Sequence, residues 1–362
     1  MPLVLDPQLE MVALDAFPLR EPVSRRAYTC LRVRTLSGTV GYGECSRLSR
    51  SDLPALRSGI QGREASSFES IRRGLTASSA ALAGLDMAML DLLGKFSKAP
   101  VYQVLGGPTR YQARALASIE GETDDAVIAA VVQARATGHR AFLIPVPASH
   151  SPNHGATLVN ATRQRLDHVR SVAGADADLV LGAGGKLTPS DASTLAAAFE
   201  RLHLLWFDEP CQLSNLSAAY RISSESVTPV GLGRFAAEAG IFQEMLRSDA
   251  IDVVRPDLGL HGITLCRRIA AVAEPYYVAA APFHDGGPIA TAAALHVAAS
   301  IPNFFIQQVP YPMAEEDRRM RARLTGESLE MVKDGYLQLP RGPGLGITVD
   351  EAAFSEYRER EP

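Results

Sequence analysis

The chain has little from which to build covalent cross-links or a membrane span. Four cysteines in 362 residues (Cys30, Cys45, Cys211 and Cys266) form no CxxC pair. That argues against a disulfide framework and for reduced thiols in a cytoplasmic protein; of the four, only Cys211 falls beside a candidate site. No apolar run reaches the roughly 18 residues a membrane helix needs. The start, Met1-Pro2-Leu3-Val4-Leu5-Asp6, lacks a basic stretch leading into an apolar one, so no secretory signal is expected. Low-complexity linkers and charge runs are missing too. Net charge is −4 with Lys and Arg scattered along the chain, which excludes the basic stripe of a nucleic-acid or anionic-membrane binder.

What is present is apolar. A content of 46% supplies a large core, and the length suits a small domain plus a barrel-sized one. Tyr28 to Thr35 alternates as a half-buried strand does, Ser37-Gly38 turns, and Thr39 to Glu44 returns as its partner. Leu82, Leu85, Met89 and Leu93 form one helical stripe between Ser78 and Leu93. After about residue 110 the pattern changes to strand-like runs at Ala113 to Ile119, Ala141 to Val146, Leu179 to Leu181 and Leu204 to Phe207. Val227 to Leu232, Ile251 to Val254, Tyr277 to Ala281 and Phe304 to Gln308 continue it. Amphipathic segments such as Asp124 to Thr137 and Ser190 to Leu202 lie between them. Eight such runs alternating with helices predict a (β/α)8-type TIM barrel within the α/β class. The expected organisation is an N-terminal α+β capping domain (1–110), the barrel (111–330) and a tail (331–362) packing back on the cap.

Several blocks resemble the mandelate racemase and muconate lactonizing enzyme group of the enolase superfamily. They are Gly41-Tyr42-Gly43-Glu44, the helix from Ala83 to Lys95, and Pro100 to Gly107. Trp206-Phe207-Asp208-Glu209-Pro210, Arg255-Pro256-Asp257, Gly287-Pro288-Ile289-Ala290 and Pro343-Gly344-Leu345-Gly346 follow in the group's order. The resemblance implies removal of a proton α to a carboxylate, with Mg2+ stabilising the enediolate that forms. Mg2+ wants about six oxygens, and the family supplies carboxylates from the ends of three consecutive strands.

Matched to that pattern, the ligand positions are 182, 208 and 234, spaced one βα unit apart, but the residues are Gly182, Asp208 and Arg234. One carboxylate and one guanidinium do not make a Mg2+ site. At roughly 4 Å and an effective dielectric of about 20, an Arg charge repels a divalent ion by about 8 kcal/mol. No metal and no other cofactor are therefore expected. The base positions are altered as well. Leu143 and Pro145 stand where a Lys-x-Lys-like pair belongs, and Phe283 holds the strand-seven His slot with His284 beside it. Gln307-Gln308 replaces a frequent strand-eight Glu.

Candidate roles follow. Arg234 either holds a substrate carboxylate or merely pairs with Asp208, which would orient it. His284 with Asp257 is a candidate general base and its orienting carboxylate; the alternative is a loop His bonded to backbone. Lys186, after the glycine run Gly182 to Gly185, together with Asp285 and Gln308, are candidate substrate contacts. Glu209 should point away from the barrel centre as a structural partner. His150 and His154 have i, i+4 spacing, but Ser151-Pro152-Asn153 argues against the helix a metal pair would need. Phe17 to Val23 and Ser46 to Asp52 fall where the family's specificity loops lie, over the barrel mouth. Three functions remain open: metal-free lyase or isomerase chemistry on a small hydroxy or sugar acid, a non-catalytic barrel binding a small acid or a partner protein, and a metal enzyme with rearranged ligands. Family habit implies a homo-oligomer.

Overall fold

The structure, a computed structural model, describes residues 6–148, 152–214, 216–326 and 328–359. Its N-terminal sheet has the order β3-β2-β1-β4, with β1 Glu10–Arg20, β2 Ala27–Thr35, β3 Val40–Cys45 and β4 Arg63–Glu64. The hairpin expected from the sequence is β2–β3, antiparallel from Thr29 opposite Cys45 to Arg34 opposite Val40. β1 has no counterpart among the expectations. Its buried residues Met11, Leu14 and Leu19 do not alternate, and its register slips between Met11 and Ala13, so the period-2 signal is lost.

The helix Ser79–Phe96 lies on this sheet. Its first turn is capped by the Ser78 hydroxyl, which accepts from Ala81 N at 3.2 Å. The glycines of Gly41-Tyr42-Gly43-Glu44 let β3 come down on the helix. A Cβ at Gly43 would stand 1.9 Å from Gly84 O, and one at Gly41 2.3 Å from Ala88 O. Asp91, on the helix, ties three segments together. Its carboxylate accepts from Tyr42 N of β3 (2.9 Å), Leu345 N of the tail (2.7 Å) and Lys95 Nζ (2.8 Å). The other side of the helix meets the barrel helix Leu258–Ala273. There Asp86 accepts from Thr264 N (3.0 Å) and Oγ1 (2.5 Å), across a break in that helix at Gly262 (φ 65°).

The barrel is the one expected. Eight parallel strands follow: β5 Gln112–Ser118, β6 Ala141–Pro145, β7 Asp178–Gly182, β8 Phe207–Asp208, β9 Val230–Leu232, β10 Val253–Val254, β11 Ala279–Ala280 and β12 Gln307–Pro310. They pair in sequence order from β5 to β11, and β12 pairs with β5. Closure between β11 and β12 runs through Ala280 N to Asn303 O (2.9 Å) and Phe305 N to Ala280 O (2.8 Å). The interior is a cluster of Leu116, Ala141, Leu143, Val180, Trp206, Val253, Ala281 and Ile306. The tail first adds β13 (Tyr336–Gln338) antiparallel to barrel strand β5, and only then reaches Asp91 and the N-terminal elements.

Two charged contacts clamp the N-terminal sheet to the barrel. Glu44 of β3 caps the barrel helix Pro288–Ala298, accepting from Gly287 N and from Ala290 N (3.3 Å). A Cβ at Gly286 would lie 2.3 Å from Glu44 Oε1, which explains the glycines before Pro288. Arg321, 1% exposed, donates to Glu21 (2.7 Å), Glu330 (2.7 Å) and Gly286 O (3.0 Å). The segments expected over the mouth are largely structural. Phe17 stacks on Phe354 at 4.5 Å, Val23 N and Ser24 N donate to Asp317 (both 2.8 Å), and buried Asp52 caps Ser49 N and Ser78 N. Among the described residues no helix is long and apolar enough to cross a membrane, and all four cysteines are buried free thiols.

Asp91→Ala removes three charge-assisted bonds from a buried site, so it should lower unfolding free energy by about 3 kcal/mol. Urea denaturation against the wild-type chain checks this.

Candidate functional site

At the C-terminal ends of β8, β9 and β10 the barrel interior becomes polar, and strand parity decides which side chains enter. Trp206 and Asp208 face inward while Phe207 faces the helices; Val253 and then Arg255 face inward while Val254 does not. Gly231 on β9 is bare because the Trp206 indole occupies its face: a Cβ there would sit 2.3 Å from Trp206 Cδ1. The indole thereby reaches its neighbour two residues on, and Trp206 Nε1 donates to Asp208 Oδ1 at 2.7 Å.

Asp208 is fully buried and its two oxygens are taken. Oδ1 also accepts from Arg255 Nε (2.7 Å), and Oδ2 accepts from Arg234 Nη1 (3.0 Å). Burial pushes its carboxyl up, but the Arg255 and Arg234 charges and the indole bond outweigh that and hold it below the usual carboxylate range. Arg255 is itself wholly buried. It donates from Nη1 to Ala281 O (2.5 Å) and from Nη2 to Gln308 Oε1, and lies 5.0 Å over the Trp206 ring, so each of its three nitrogens has a partner. Gln308 passes the chain on to Ser118 Oγ on β5 (3.1 Å).

Arg234 is the part of this chain that meets solvent. Its side chain is 17% exposed, with its guanidinium 4.4 Å over the Phe283 ring and 5.7 Å from Phe235. Its Nε is buried without a partner among the described residues. Asp208 is shared by two arginines, so it answers the Arg234 charge only in part; Glu209 and Asp257, both raised to about 7, are the other carboxyls that feel that charge.

At position 182, the first of the expected ligand positions, the chain offers no polar side chain. A Cβ added to Gly182 would stand 2.7 Å from Leu143 Cδ2, so the β6 side chain occupies the room a longer residue would need. Leu143 and Phe283 are both 5% exposed and make the walls apolar. Among the described residues no three His, Cys, Asp or Glu side chains converge as a metal cage.

The expected dyad of His284 and Asp257 is not assembled. Phe283 faces inward, so His284, one residue on, turns outward. Its Nδ1 accepts from Gly286 N (3.3 Å) and its Nε2 meets Thr291 Oγ1 (3.2 Å). Burial, then the Arg321 charge, press its pKa down to about 3. It therefore stays neutral in a packed pocket beside Glu330 and Arg321. Asp257 caps the helix Leu258–Ala273 through Gly259 N (2.7 Å). Its carboxyl is pushed up to about 7 by burial, with the Arg234 charge opposing.

The other candidates scatter. Asp285 is exposed and pairs with Arg26 at 3.2 Å, and Lys186 is exposed. His154 precedes the helix Gly155–Ala173 without capping it, and His150 lies outside the described residues. Cys211 is buried, and burial raises its thiol pKa. Glu209, with φ 47°, turns its Oε1 to Gly233 N and Arg234 N (both 2.7 Å). It holds the backbone that aims Arg234, while its Oε2 has no partner among the described residues. Burial and the Asp208 charge raise it to about 7.

Sequence reasoning missed Arg255 and Trp206 as site residues. Both were legible: in a barrel strand, an Arg or Trp at the same parity as the core residues must enter the interior.

Residues 126–353 match the family described as Enolase C-terminal domain-like, and residues 19–106 match the Mandelate racemase / muconate lactonizing enzyme N-terminal domain. A D-galactonate dehydratase of Ralstonia nicotianae is 30% identical over 78% of this chain and 74% of its own length. D-mannonate dehydratase CC0532 of Caulobacter vibrioides is 28% identical over 92% and 91%. Among solved structures, a mandelate racemase/muconate lactonizing enzyme-like protein from Roseovarius sp. TM1035 superposes with a TM-score of 0.87 at 26% identity, covering 98% and 96% of the two chains.

Two stability predictions follow from this cluster. Arg255→Met leaves the Asp208 charge buried with one cation fewer, and should cost about 3–5 kcal/mol; adding Asp208→Leu should recover part of it. Chemical denaturation of the single and double variants measures both. Glu209 is a raised carboxyl. Its contribution is fully present below its unfolded pKa of about 4.3 and is lost as pH rises through about 7. Glu209→Gln should therefore gain on wild type across that window, as read from denaturation midpoints against pH.

Proposed function

The chain belongs to the mandelate racemase and muconate lactonizing enzyme group of the enolase superfamily, and from that premise we propose a barrel that binds a small acid without the group's metal. Mg2+ requires about six oxygens. The residues present do not fit it: position 182 offers no side chain, position 234 a cation, and Asp208 has both oxygens committed to indole and guanidinium donors. The observation that carries the reading is the Asp208 carboxylate held between Arg234 and Arg255. Arg234 stands where a ligand carboxylate would otherwise meet the ion, and its planar fork suits a carboxylate in two-point contact. Relatives named for D-galactonate and D-mannonate make sugar acids the ligand class.

Enolising a carboxylate needs a strong counter-charge for the developing dianion and a base on the right face. Arg234 shares its charge with Asp208, and His284 is sealed away from Asp257, so binding is favoured over the family reaction. A second reading rests on Asp257. Its carboxyl lies at the end of β10, is raised to about 7, and lies within the influence of Arg234, as a lone general base would. Under that reading the chain is a metal-free lyase or isomerase.

The test is D-galactonate and D-mannonate in D2O, followed by NMR, with EDTA and then with Mg2+. We expect no α-proton exchange in either, and saturable binding that changes Trp206 fluorescence and disappears in Arg234→Met. Exchange that survives EDTA and disappears in Asp257→Asn establishes the second reading. Exchange that requires Mg2+ overturns both.

A further inference from the structure

A cleft lies outside the barrel, on its helical layer. It opens between the end of the helix Asp124–Ala136, the exit of β12, the helix Glu315–Thr325, Gly326 and the chain at Glu330–Val332, with a volume of about 260 Å3. Most of the wall is apolar, from Val309, Pro310, Pro312, Ala322 and Val332, and Met331 on its rim is 62% exposed.

A few polar groups converge on this apolar surface. Arg318 is anchored by Nη1, which donates to Pro312 O (3.0 Å) and Met313 O (2.6 Å). Its charge is matched by no carboxylate among the described residues. The Tyr311 hydroxyl accepts from Thr137 Oγ1 (3.2 Å), and the Tyr311 ring stands edge-on to His139 at 5.0 Å. Nδ1 of His139 bonds Ala134 O (3.1 Å), and burial lowers its pKa to about 4, so the imidazole stays neutral. Glu330 is the one acidic group in the wall. Its two oxygens are turned to Arg321 and Thr291, so its charge is already answered.

We infer that this cleft between the Asp124–Ala136 and Glu315–Thr325 helices binds a small amphipathic carboxylate, with its apolar body in the cleft and its carboxylate on Arg318. An apolar pocket with one cation and a few fixed dipoles has the make-up of a small-molecule site, and a neutral polar ligand would leave the Arg318 charge unanswered. The site is separate from the barrel mouth and does not depend on the reading given for it.

The probe is 3-phenylpropionate, with 3-phenylpropanol as its uncharged analogue, titrated into the full chain and followed by ligand-observed NMR to well above about 1 mM. Wild type should bind the acid saturably. Arg318→Met should weaken it about tenfold, to the level of the alcohol with wild type. Ala322→Phe, which fills the cleft, should abolish binding with thermal melting unchanged, and Arg234→Met should bind as wild type does. If Ala322→Phe lowers the melting temperature, Arg318→Met carries the same test from a half-exposed position. The inference is overturned by an unsaturable wild type, by acid and alcohol binding equally, or by binding that Arg234→Met removes and Arg318→Met leaves intact.

Discussion

A buried carboxylate between two guanidiniums organises the end of this barrel. Asp208 is out of water, and such a charge survives only when it is fully paired and hydrogen-bonded. Arg255, Arg234 and the Trp206 indole supply that pairing, and each makes its own demand on the chain. The indole needs Gly231 to be bare. Arg255 needs Ala281 O and Gln308 to take its remaining donors. Arg234 needs its backbone held, which Glu209 does from a left-handed conformation at φ 47°. Residues from the ends of β8, β9, β10, β11 and β12 thus share one network, and the proposed reading puts it where the family's cation would lie.

Under the proposed reading the two arginines bring to Asp208 the same double positive charge that a divalent ion would. What differs is its availability. A metal presents open coordination positions to a substrate, whereas Arg255 has no free face and Arg234 is stacked on Phe283 with one nitrogen committed to Asp208. Under the proposed reading the mouth offers an anion one partly exposed guanidinium in place of the strong Lewis acid that enolisation needs. Leu143 closing over Gly182 and His284 turned into the Thr291 pocket point the same way.

Much of this was legible in the sequence where a pattern had a period. The eight barrel strands announce themselves as short apolar runs recurring between helical stretches, and the β2–β3 hairpin by alternation. β1 was not legible because its buried positions are irregular. The pairing of His284 with Asp257 failed on parity: His284 directly follows inward-facing Phe283 and so turns the other way. Arg255 was passed over because its motif was read for Asp257, although the inward parity of Val253 already placed it in the core. The separation between Glu209 as a backbone clamp and Asp208 as the charged centre could be read in advance. Of the partners of Asp208, Arg234 was read in advance, while Trp206 and Arg255 were not.

The most direct measurement is Mn2+ binding followed by electron paramagnetic resonance, on the wild-type chain and on Asp208→Asn. If the guanidiniums occupy the carboxylate, the free Mn2+ signal should persist undiminished with wild type up to about 1 mM, and Asp208→Asn should behave identically. One Mn2+ bound per chain at micromolar concentration, lost in Asp208→Asn, would contradict the account and return the barrel to metal chemistry.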